Sequence, residues 1–193
     1  MSNGAPAVHS VHIYGDDRAL IARLCGVVSS GLQGGDAVLI IATAAHRVAL
    51  ANELEKAGVD VRAIAKRGRF RTIDASSALA SFMRYGRPDR GLFMTSMNRL
   101  LQQSAKNAMT RGSGLTVFGE MVTVLWEEGK KEAALQLEAL WNEVLNDRAF
   151  HLHCAYPRTC FTGEGDGTGL ASVCASHTHV VRDAVAYPTI NAA

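Results

Sequence analysis

Histidine and cysteine have the widest chemical range among the residue types of this 193-residue sequence, which contains seven histidines and four cysteines. Imidazole nitrogen and thiolate sulfur both bind transition metals. His151 and His153 would share one face of a strand, and could chelate an ion together. Cys174 and His177 lie about one helical turn apart and form a second such pair. Because no four-residue spacing typical of a zinc site occurs, and buried cysteines usually pack as small apolar side chains, we predict neither a metal site nor a cofactor.

A carboxylate stands directly after one of the apolar segments. Glu120 follows LTVFG, a predicted strand, and the carboxyl ends of parallel strands are where α/β proteins build binding sites. Two interpretations are open: Glu120 contacts a ligand, or it lies in the first turn of the next helix and stabilises the helix dipole. A catalytic role requires a partner, and the sequence lacks GxSxG, HExxH and an ordered Ser/His/Asp set, so we predict a protein that is not an enzyme.

The turn after the first predicted strand is where a nucleotide-binding protein would carry GxxxxGK[ST]. Here the turn is IYGDDRALIAR, with one glycine, the carboxylates Asp16 and Asp17, and no lysine. A triphosphate would therefore meet negative charge. The stretch IIATAAHR, at the next strand end, also lacks a carboxylate that could position a hydrolytic water. Nucleotide binding with residual ATP hydrolysis is thus the alternative to our leading hypothesis.

Several aromatic residues could line a small-molecule pocket or fill the core. Tyrosine and tryptophan offer apolar area with one polar group each, which suits a ligand site. The same side chains at helical spacing also satisfy core packing, and both interpretations stay open. The residues concerned are Tyr14, Trp126, Trp141 and Tyr156.

Apolar patterns typical of strands and of helices alternate along the chain. The continuous run AVLIIA suits a strand buried on both faces, and the stripe from Leu137 to Leu145 suits an amphipathic helix. This alternation predicts an α/β protein, a three-layer fold with a mostly parallel central sheet flanked by helices. Predicted strands span residues 8–14, 37–42, 70–73, 115–118 and 150–156; predicted helices follow Asp16 or Asp17 and span 45–57, 75–83, 90–108 and 121–146, the last jointed at Gly129; the loop 163–169 is predicted to be flexible and to lead into a short helix.

Composition excludes several classes of protein. With 48% hydrophobic and 20% charged residues, the chain can fold around its own core without disulfides. The net charge is only +2, and the basic residues form no block, so we predict no contact with nucleic acid. No apolar run approaches the roughly 18 residues that span a bilayer, and no signal peptide is evident. We therefore expect a cytoplasmic protein with reduced cysteines and no membrane contact.

Seven stretches occur in order along most of the chain: HSVHIYGDD, GDAVLIIATAAHRVAL, RFRTIDASSALASFM, GRPD, FGEMVTVLWEEGKKEAALQLEALWNE, CAYP and SVCASHTHV. Together they resemble the MEDS domain, the methanogen/methylotroph, DcmR-type sensory domain related to RecA-like and KaiC-like ATPases. A single motif of this length recurs by chance, but an ordered series from His9 to about His179 rarely does. The positions that match the family are His9, Tyr14, Asp16, Glu120, Met121, Trp126, Glu138, Trp141, Asn142, Cys154, Tyr156, Pro157 and His177.

The resemblance implies a RecA-like fold whose nucleotide-binding loop has degenerated, used in bacterial and archaeal regulators to sense small molecules such as hydrocarbon derivatives. Residues 1–180 would form a single MEDS-like sensory domain, followed by a loose tail over 181–193. Nothing after residue 180 resembles an output domain. We therefore expect the protein to act in trans, or as the input module of a histidine kinase or transcription regulator. The identity of the ligand and the oligomeric state, a homo-oligomer included, stay open.

The strand ends and the resemblance together predict one ligand site at the carboxyl edge of the sheet. Aromatic residues would supply apolar contact area, while Glu120 and His177 would orient the ligand or titrate. Gly15 stands where the family pattern usually has an acidic residue, which removes one polar contact from the turn. The predicted ligand-binding residues are His9, Tyr14, Asp16, Glu120, Trp126, Trp141, Tyr156 and His177.

Overall fold

A computed structural model of the protein describes residues 7–109, 114–163 and 166–183, and six parallel strands form its centre. The strands in chain order are β1 (Val8–Tyr14), β2 (Ala37–Ala42), β3 (Phe70–Asp74), β4 (Met83–Arg84), β5 (Arg87–Pro88), β6 (Leu115–Gly119), β7 (His151–Pro157) and β8 (His179–Arg182). The sheet has the order β3-β2-β6-β7-β1-β8, and β4 and β5 form a separate antiparallel pair. This arrangement confirms the predicted three-layer α/β fold.

Helices cover both faces of the sheet and divide its core into two parts. The helices are α1 (Asp17–Gln33), α2 (Ala44–Lys56), α3 (Val61–Lys66), α4 (Ala75–Phe82), α5 (Arg90–Ala105), α6 (Met121–Glu127), α7 (Lys131–Asp147) and α8 (Asp166–Ala175). Helices α1 to α3 pack on one face, and α4 to α8 pack on the other. Among the described residues, none of these helices is both long and apolar enough to cross a membrane.

Alternation along the strands determines which side chains face each helical layer. In β1, Val11 and Ile13 belong to the core under α4 to α8, whereas Tyr14 belongs to the core under α1 to α3. In β7, Cys154 and Tyr156 likewise face α4 to α8. Each side chain within a strand therefore faces the helices on one side of the sheet only.

The longer predicted elements agree with the structure, and the differences concern short elements and the loop before α8. Strand β2 has the predicted bounds, and Gly129, with φ +76°, separates α6 from α7 as expected. The loop predicted over 163–169 is partly helical, because α8 already begins at Asp166; residues 164 and 165 lie outside the described residues. Sequence patterns also missed α3 and β8, which are short. β8 includes 181 and 182, and residues 184–193 of the predicted tail lie outside the described residues.

Three aromatic side chains pack against one another in the larger core. Phe93 in α5 makes edge-to-face contacts with Phe82, at 5.1 Å between ring centroids, and with Trp141, at 5.2 Å. All three side chains are fully buried. Phe93 thereby connects α4, α5 and α7, the helices that cover the middle of one sheet face.

We expect Phe93→Ala to lower the free energy of unfolding by about 3–5 kcal/mol, because it removes a buried ring and leaves a cavity between three helices. Leu92→Ala, at the neighbouring and partly exposed position, is the matched control and should cost less than about 1 kcal/mol. Urea denaturation followed by circular dichroism measures both values. Equal losses in the two variants would contradict the central role of the Phe93 contacts.

Candidate functional site

The carboxyl ends of β2 and β6 bring a buried acid and a histidine together. β2 and β6 are neighbours, with Ile41 opposite Gly119, so the residues that follow them meet at the sheet edge. Glu120, which follows β6, is 2% exposed, and its Oε2 accepts a hydrogen bond of 2.8 Å from the backbone N–H of Thr43. Its Oε1 pairs with Nδ1 of His46, in the first turn of α2. The carboxylate is thus fixed by two partners from the neighbouring strand-to-helix turn.

His46 connects this carboxylate to the first turn of α1. Its Nδ1 faces Glu120, and its Nε2 lies 3.4 Å from Oδ1 of Asp17. The hydrogen bond with Glu120 raises the pKa of His46 above its ordinary value, although burial works in the opposite direction, and the charges of Glu120 and Asp17 add to the rise. This geometry favours an imidazolium between two carboxylates, one buried and one at the surface.

Two further titratable groups share the negative potential of Glu120. Burial raises the pKa of Tyr14, and Glu120 and Asp17 raise it further, so its phenol stays protonated and can donate a hydrogen bond. Burial, followed by the charge of Glu120, also raises the pKa of Glu127. The carboxyl edge therefore combines hydrogen-bond donors and acceptors with an excess of acids. We call these five residues the edge cluster: Tyr14, Asp17, His46, Glu120 and Glu127.

Asp16 has a structural role in the same turn. It is the N-cap of α1, and its side chain accepts a hydrogen bond from the backbone N–H of Ala19. Gly15 donates its backbone N–H to Asp183, which also pairs with His12 at 2.7 Å. These contacts occupy the helix N-terminus, which in a phosphate-binding loop would face the ligand.

A surface groove of about 590 Å³ begins at the edge cluster and runs between α1 and α2. Asp17 lies at its start, and Arg18, Ile21, Ala49 and Lys56 also line it. Its volume falls in the range typical of small-molecule sites, about 300–1,000 Å³. The groove gives a small molecule a path along α1 to Asp17 and its partner His46.

Both tryptophans of the predicted site are packed in the core below α4 to α8. Trp141 is fully buried and contacts Phe93 and Phe150. Trp126 donates its indole N–H to the carbonyl of Cys160 and lies edge-on to Tyr156, with centroids 5.6 Å apart. These surroundings match the packing interpretation that the sequence left open for them.

The remaining three predicted residues, His9, Tyr156 and His177, come together in a second group on the face under α6 to α8. Each of them is connected to the buried carboxylate of Glu138 in α7: Tyr156 donates its hydroxyl to Oε1 at 2.9 Å, and the two imidazoles lie near Oε2. Cys154 of β7 completes this group. The sequence predicted one site, whereas the structure places Tyr14 and Glu120 in the edge cluster and His9, Tyr156 and His177 around Glu138.

Buried charge sets the protonation of the second group. Burial opposes ionisation of Glu138, yet the imidazoles of His9 and His177 beside it hold its pKa below the ordinary value. Burial lowers the pKa of His177 and raises that of Cys154 well above the usual range. The group therefore consists of a carboxylate, a neutral His177 and a thiol.

Sequence reasoning missed His46, Asp17 and Glu127 as members of the edge cluster. A signal for His46 existed, because it lies in the first turn after an apolar strand, where side chains reach the carboxyl edge. Asp17 was considered only as a cap or as a charge that repels phosphate. Glu127 gave no signal, because it is the last residue of α6 and reaches the cluster only through folding.

We expect Glu120→Gln to lower the pKa of His46, since it removes the hydrogen-bonded carboxylate that raises it. Asp17→Asn should cause a smaller decrease, and Glu55→Gln, at an exposed position of the same helix, should cause none. Titration of the His46 ring by NMR measures the three values. An unchanged pKa in Glu120→Gln would show that the pair does not form in solution.

The same pair has a consequence for stability. A histidine whose pKa is higher when folded stabilises the fold fully below its unfolded pKa of about 6.5, and this contribution is lost as the pH rises through the higher folded value. The free energy of unfolding of the unaltered protein should therefore fall as the pH rises from 6 through the folded pKa of His46. In Glu120→Gln it should fall less over the same pH range. Urea denaturation at a series of pH values tests this.

One of two comparisons with known proteins identifies a family for this chain. The family model MEDS, described as the methanogen/methylotroph, DcmR sensory domain, matches residues 8–178. A comparison with curated proteins found no match. The matched range includes every strand end and helix that forms the two clusters, apart from the last strand, β8. Because the family model covers well over half of the sequence, the chain belongs to the MEDS family of sensory domains.

Proposed function

We propose that this protein is a non-enzymatic sensory module that binds a small organic molecule at the edge cluster, in the signalling system of a bacterium or archaeon. The observation that carries the proposal is the buried Glu120, held by Thr43 and by His46, whose other nitrogen lies near Asp17 at the start of the groove. Membership of a sensory family supports the general role. The module acts in trans or as the input of a histidine kinase or transcription regulator.

The charges of the edge cluster select the class of ligand. Three carboxylates and one imidazole surround the position, and a protonated Tyr14 adds a hydrogen-bond donor. A neutral molecule with a hydroxyl or amine group fits these partners, because it can donate to a carboxylate and accept from the phenol, and a cationic amine can donate to the carboxylates. Simple alcohols, amines and other hydrocarbon derivatives belong to this class.

Phosphorylated ligands fit the edge cluster poorly. Asp16 caps α1, and no lysine follows Gly15, so the turn lacks the charge that a triphosphate needs. In this proposal, the turn after β1 descends from a nucleotide-binding loop of a RecA-like protein and has lost that function. Its remaining use is to place Asp17 against His46.

Ligand binding would be coupled to the positions of two helices. Asp17 belongs to α1, and His46 belongs to α2, while Glu120 precedes α6. A molecule that bridges Asp17 and Glu120 would compete with His46 for both carboxylates and change how α1 and α2 pack. Differential contacts of this kind typically couple sites by about 1–3 kcal/mol, which suffices for a signal.

A thermal-shift screen over short alcohols, amines and halogenated one-carbon compounds tests the proposal. A compound at 100 times its Kd should stabilise the protein by about 2.7 kcal/mol and raise the unfolding midpoint. Glu120→Gln should weaken that compound about 10–100-fold, the usual effect of losing a hydrogen bond to a charged group. Glu55→Gln on the outer face of α2 is the control and should leave the affinity unchanged.

Binding of a fluorescent ATP analogue with Mg²⁺ is the opposing test. We expect no saturable binding. Micromolar affinity that Glu120→Gln abolishes would replace the sensory proposal with a RecA-like or KaiC-like nucleotide-binding function. A screen in which no compound shifts the midpoint, together with no nucleotide binding, would also contradict ligand sensing at this position.

A further inference from the structure

The second cluster places four potential metal ligands around one point inside the protein. One nitrogen each from His9 and His177, one carboxylate oxygen of Glu138 and the sulfur of Cys154 all lie within 4.8 Å of one another. All four side chains are buried, and within the described ranges this is the one such group of ligands found. From the sequence we predicted no metal site, because no spacing typical of zinc occurs and buried cysteines usually pack as small apolar side chains.

The hydrogen bonds around this cluster fix which nitrogens carry protons. The amide Nδ2 of Asn142 donates to the carbonyl of Ser176 at 3.0 Å, so its Oδ1 must face Nδ1 of His9 as an acceptor. His9 therefore donates from Nδ1. His177 also donates from Nδ1, to the carbonyl of Val173 at 2.7 Å. If both imidazoles are neutral, each Nε2 atom then carries a lone pair and no proton.

Both of these lone pairs face a carboxylate oxygen of Glu138, which also carries only lone pairs. Oε2 of Glu138 lies 3.4 Å from Nε2 of His9 and 3.5 Å from Nε2 of His177. The buried Nε2 of His177 has no hydrogen-bond partner. A proton on Nε2 of His9 would not resolve this arrangement, because charge-assisted N–H···O bonds are typically about 2.7–2.9 Å long and a single proton joins only two atoms. A cation that all four groups share would resolve it.

The separations match the edges of a tetrahedral metal site. Zinc bonds of about 2.0–2.1 Å to nitrogen or oxygen and about 2.3 Å to sulfur place neighbouring ligand atoms roughly 3.3–3.6 Å apart. The sulfur of Cys154 lies 3.5 Å from Nε2 of His9 and 3.8 Å from Oε2 of Glu138. With the two nitrogen–oxygen distances, four of the six edges agree with this geometry to within a few tenths of an ångström.

The surrounding contacts are those that stabilise metal ligands. Each histidine donates its other nitrogen to an oxygen acceptor, which fixes the tautomer and the ring orientation. The second oxygen of Glu138 accepts from the hydroxyl of Tyr156 at 2.9 Å. Side chains that only form a hydrogen-bonded pair in the core would not each need a second hydrogen bond of this kind.

We propose that His9, Glu138, Cys154 and His177 form a tetrahedral site for a zinc-class divalent ion. The ligands come from β1, α7, β7 and the segment after α8, so the ion would join two strands to two helices on this face of the sheet. The closed set of four protein ligands leaves no open position and is typical of a structural rather than a catalytic ion. This site does not depend on ligand sensing at the edge cluster.

Cobalt substitution tests the proposal with the metal alone. The reduced, chelator-treated protein should bind one equivalent of Co²⁺ under anaerobic conditions and show the visible bands of tetrahedral cobalt with a sulfur-to-cobalt charge-transfer band. Zn²⁺ should displace the cobalt. Absence of stoichiometric binding, or six-coordinate spectra, would overturn the site and leave the cluster as a hydrogen-bonded core group.

Variants assign the spectrum to these residues. Cys154→Ser should abolish the charge-transfer band, and His177→Gln should lower the affinity for Co²⁺ by more than about 100-fold, beyond the effect expected of a supporting residue. Cys174→Ser is the matched control, since this thiol lies near His177 in sequence but outside the cluster, and it should keep both bands. A charge-transfer band that survives in Cys154→Ser would overturn the assignment.

Two further measurements test the metal site without relying on whether its variants fold or on ligand binding at the edge cluster. X-ray absorption of the zinc-loaded, unaltered protein should show one sulfur at about 2.3 Å and three nitrogen or oxygen ligands at about 2.0–2.1 Å. A first shell without sulfur would contradict the site. Glu120→Gln should bind Co²⁺ like the unaltered protein, so failure of metal binding and failure of effector binding are separate outcomes.

Discussion

All six strands of the main sheet run in the same direction, and this constraint decides where polar groups can gather. Parallel strands end at a common edge, and each is followed by a turn into a helix. The backbone N–H of Thr43 is available to Glu120 because β2 and β6 end side by side. A carboxylate buried without such donors would cost several kcal/mol, so the edge cluster exists only in this topology.

The two clusters show two ways of burying an acid. Glu120 lies near the protein surface and shares His46 with Asp17, an exposed residue that a solute can reach. Glu138 is fully buried in the larger core, where Tyr156, His9 and His177 lie around its carboxylate. A carboxylate that can exchange its partner for a solute suits ligand binding, whereas a carboxylate enclosed on all sides suits a structural role. Alternate residues of β1 take part in the two groups: Tyr14 packs in the core under α1 to α3, whereas His9 reaches Glu138 in α7.

Sequence patterns predicted the fold well because continuous apolar strands and amphipathic helices leave clear signatures, as AVLIIA and the stripe in α7 show. Short elements such as α3 and β8 carry too few residues for a period to be visible. Glu120 was identified from its position after β6. The partnership of His9 with Glu138 could not be derived from spacing, since 129 positions separate them and only the packing of α7 against β1 brings them together.

The position of β1 in the sheet has a consequence for synthesis of the chain. β1 lies between β7 and β8, and Val8 pairs with His151, so β1 is synthesised before both of its neighbours and has neither until the last third of the described chain is made. At about 5–20 residues per second, an apolar strand waits for several seconds without its hydrogen-bonding partners. Nascent chains of this protein should therefore depend on chaperones, and truncation before β7 should yield aggregates rather than a smaller folded unit.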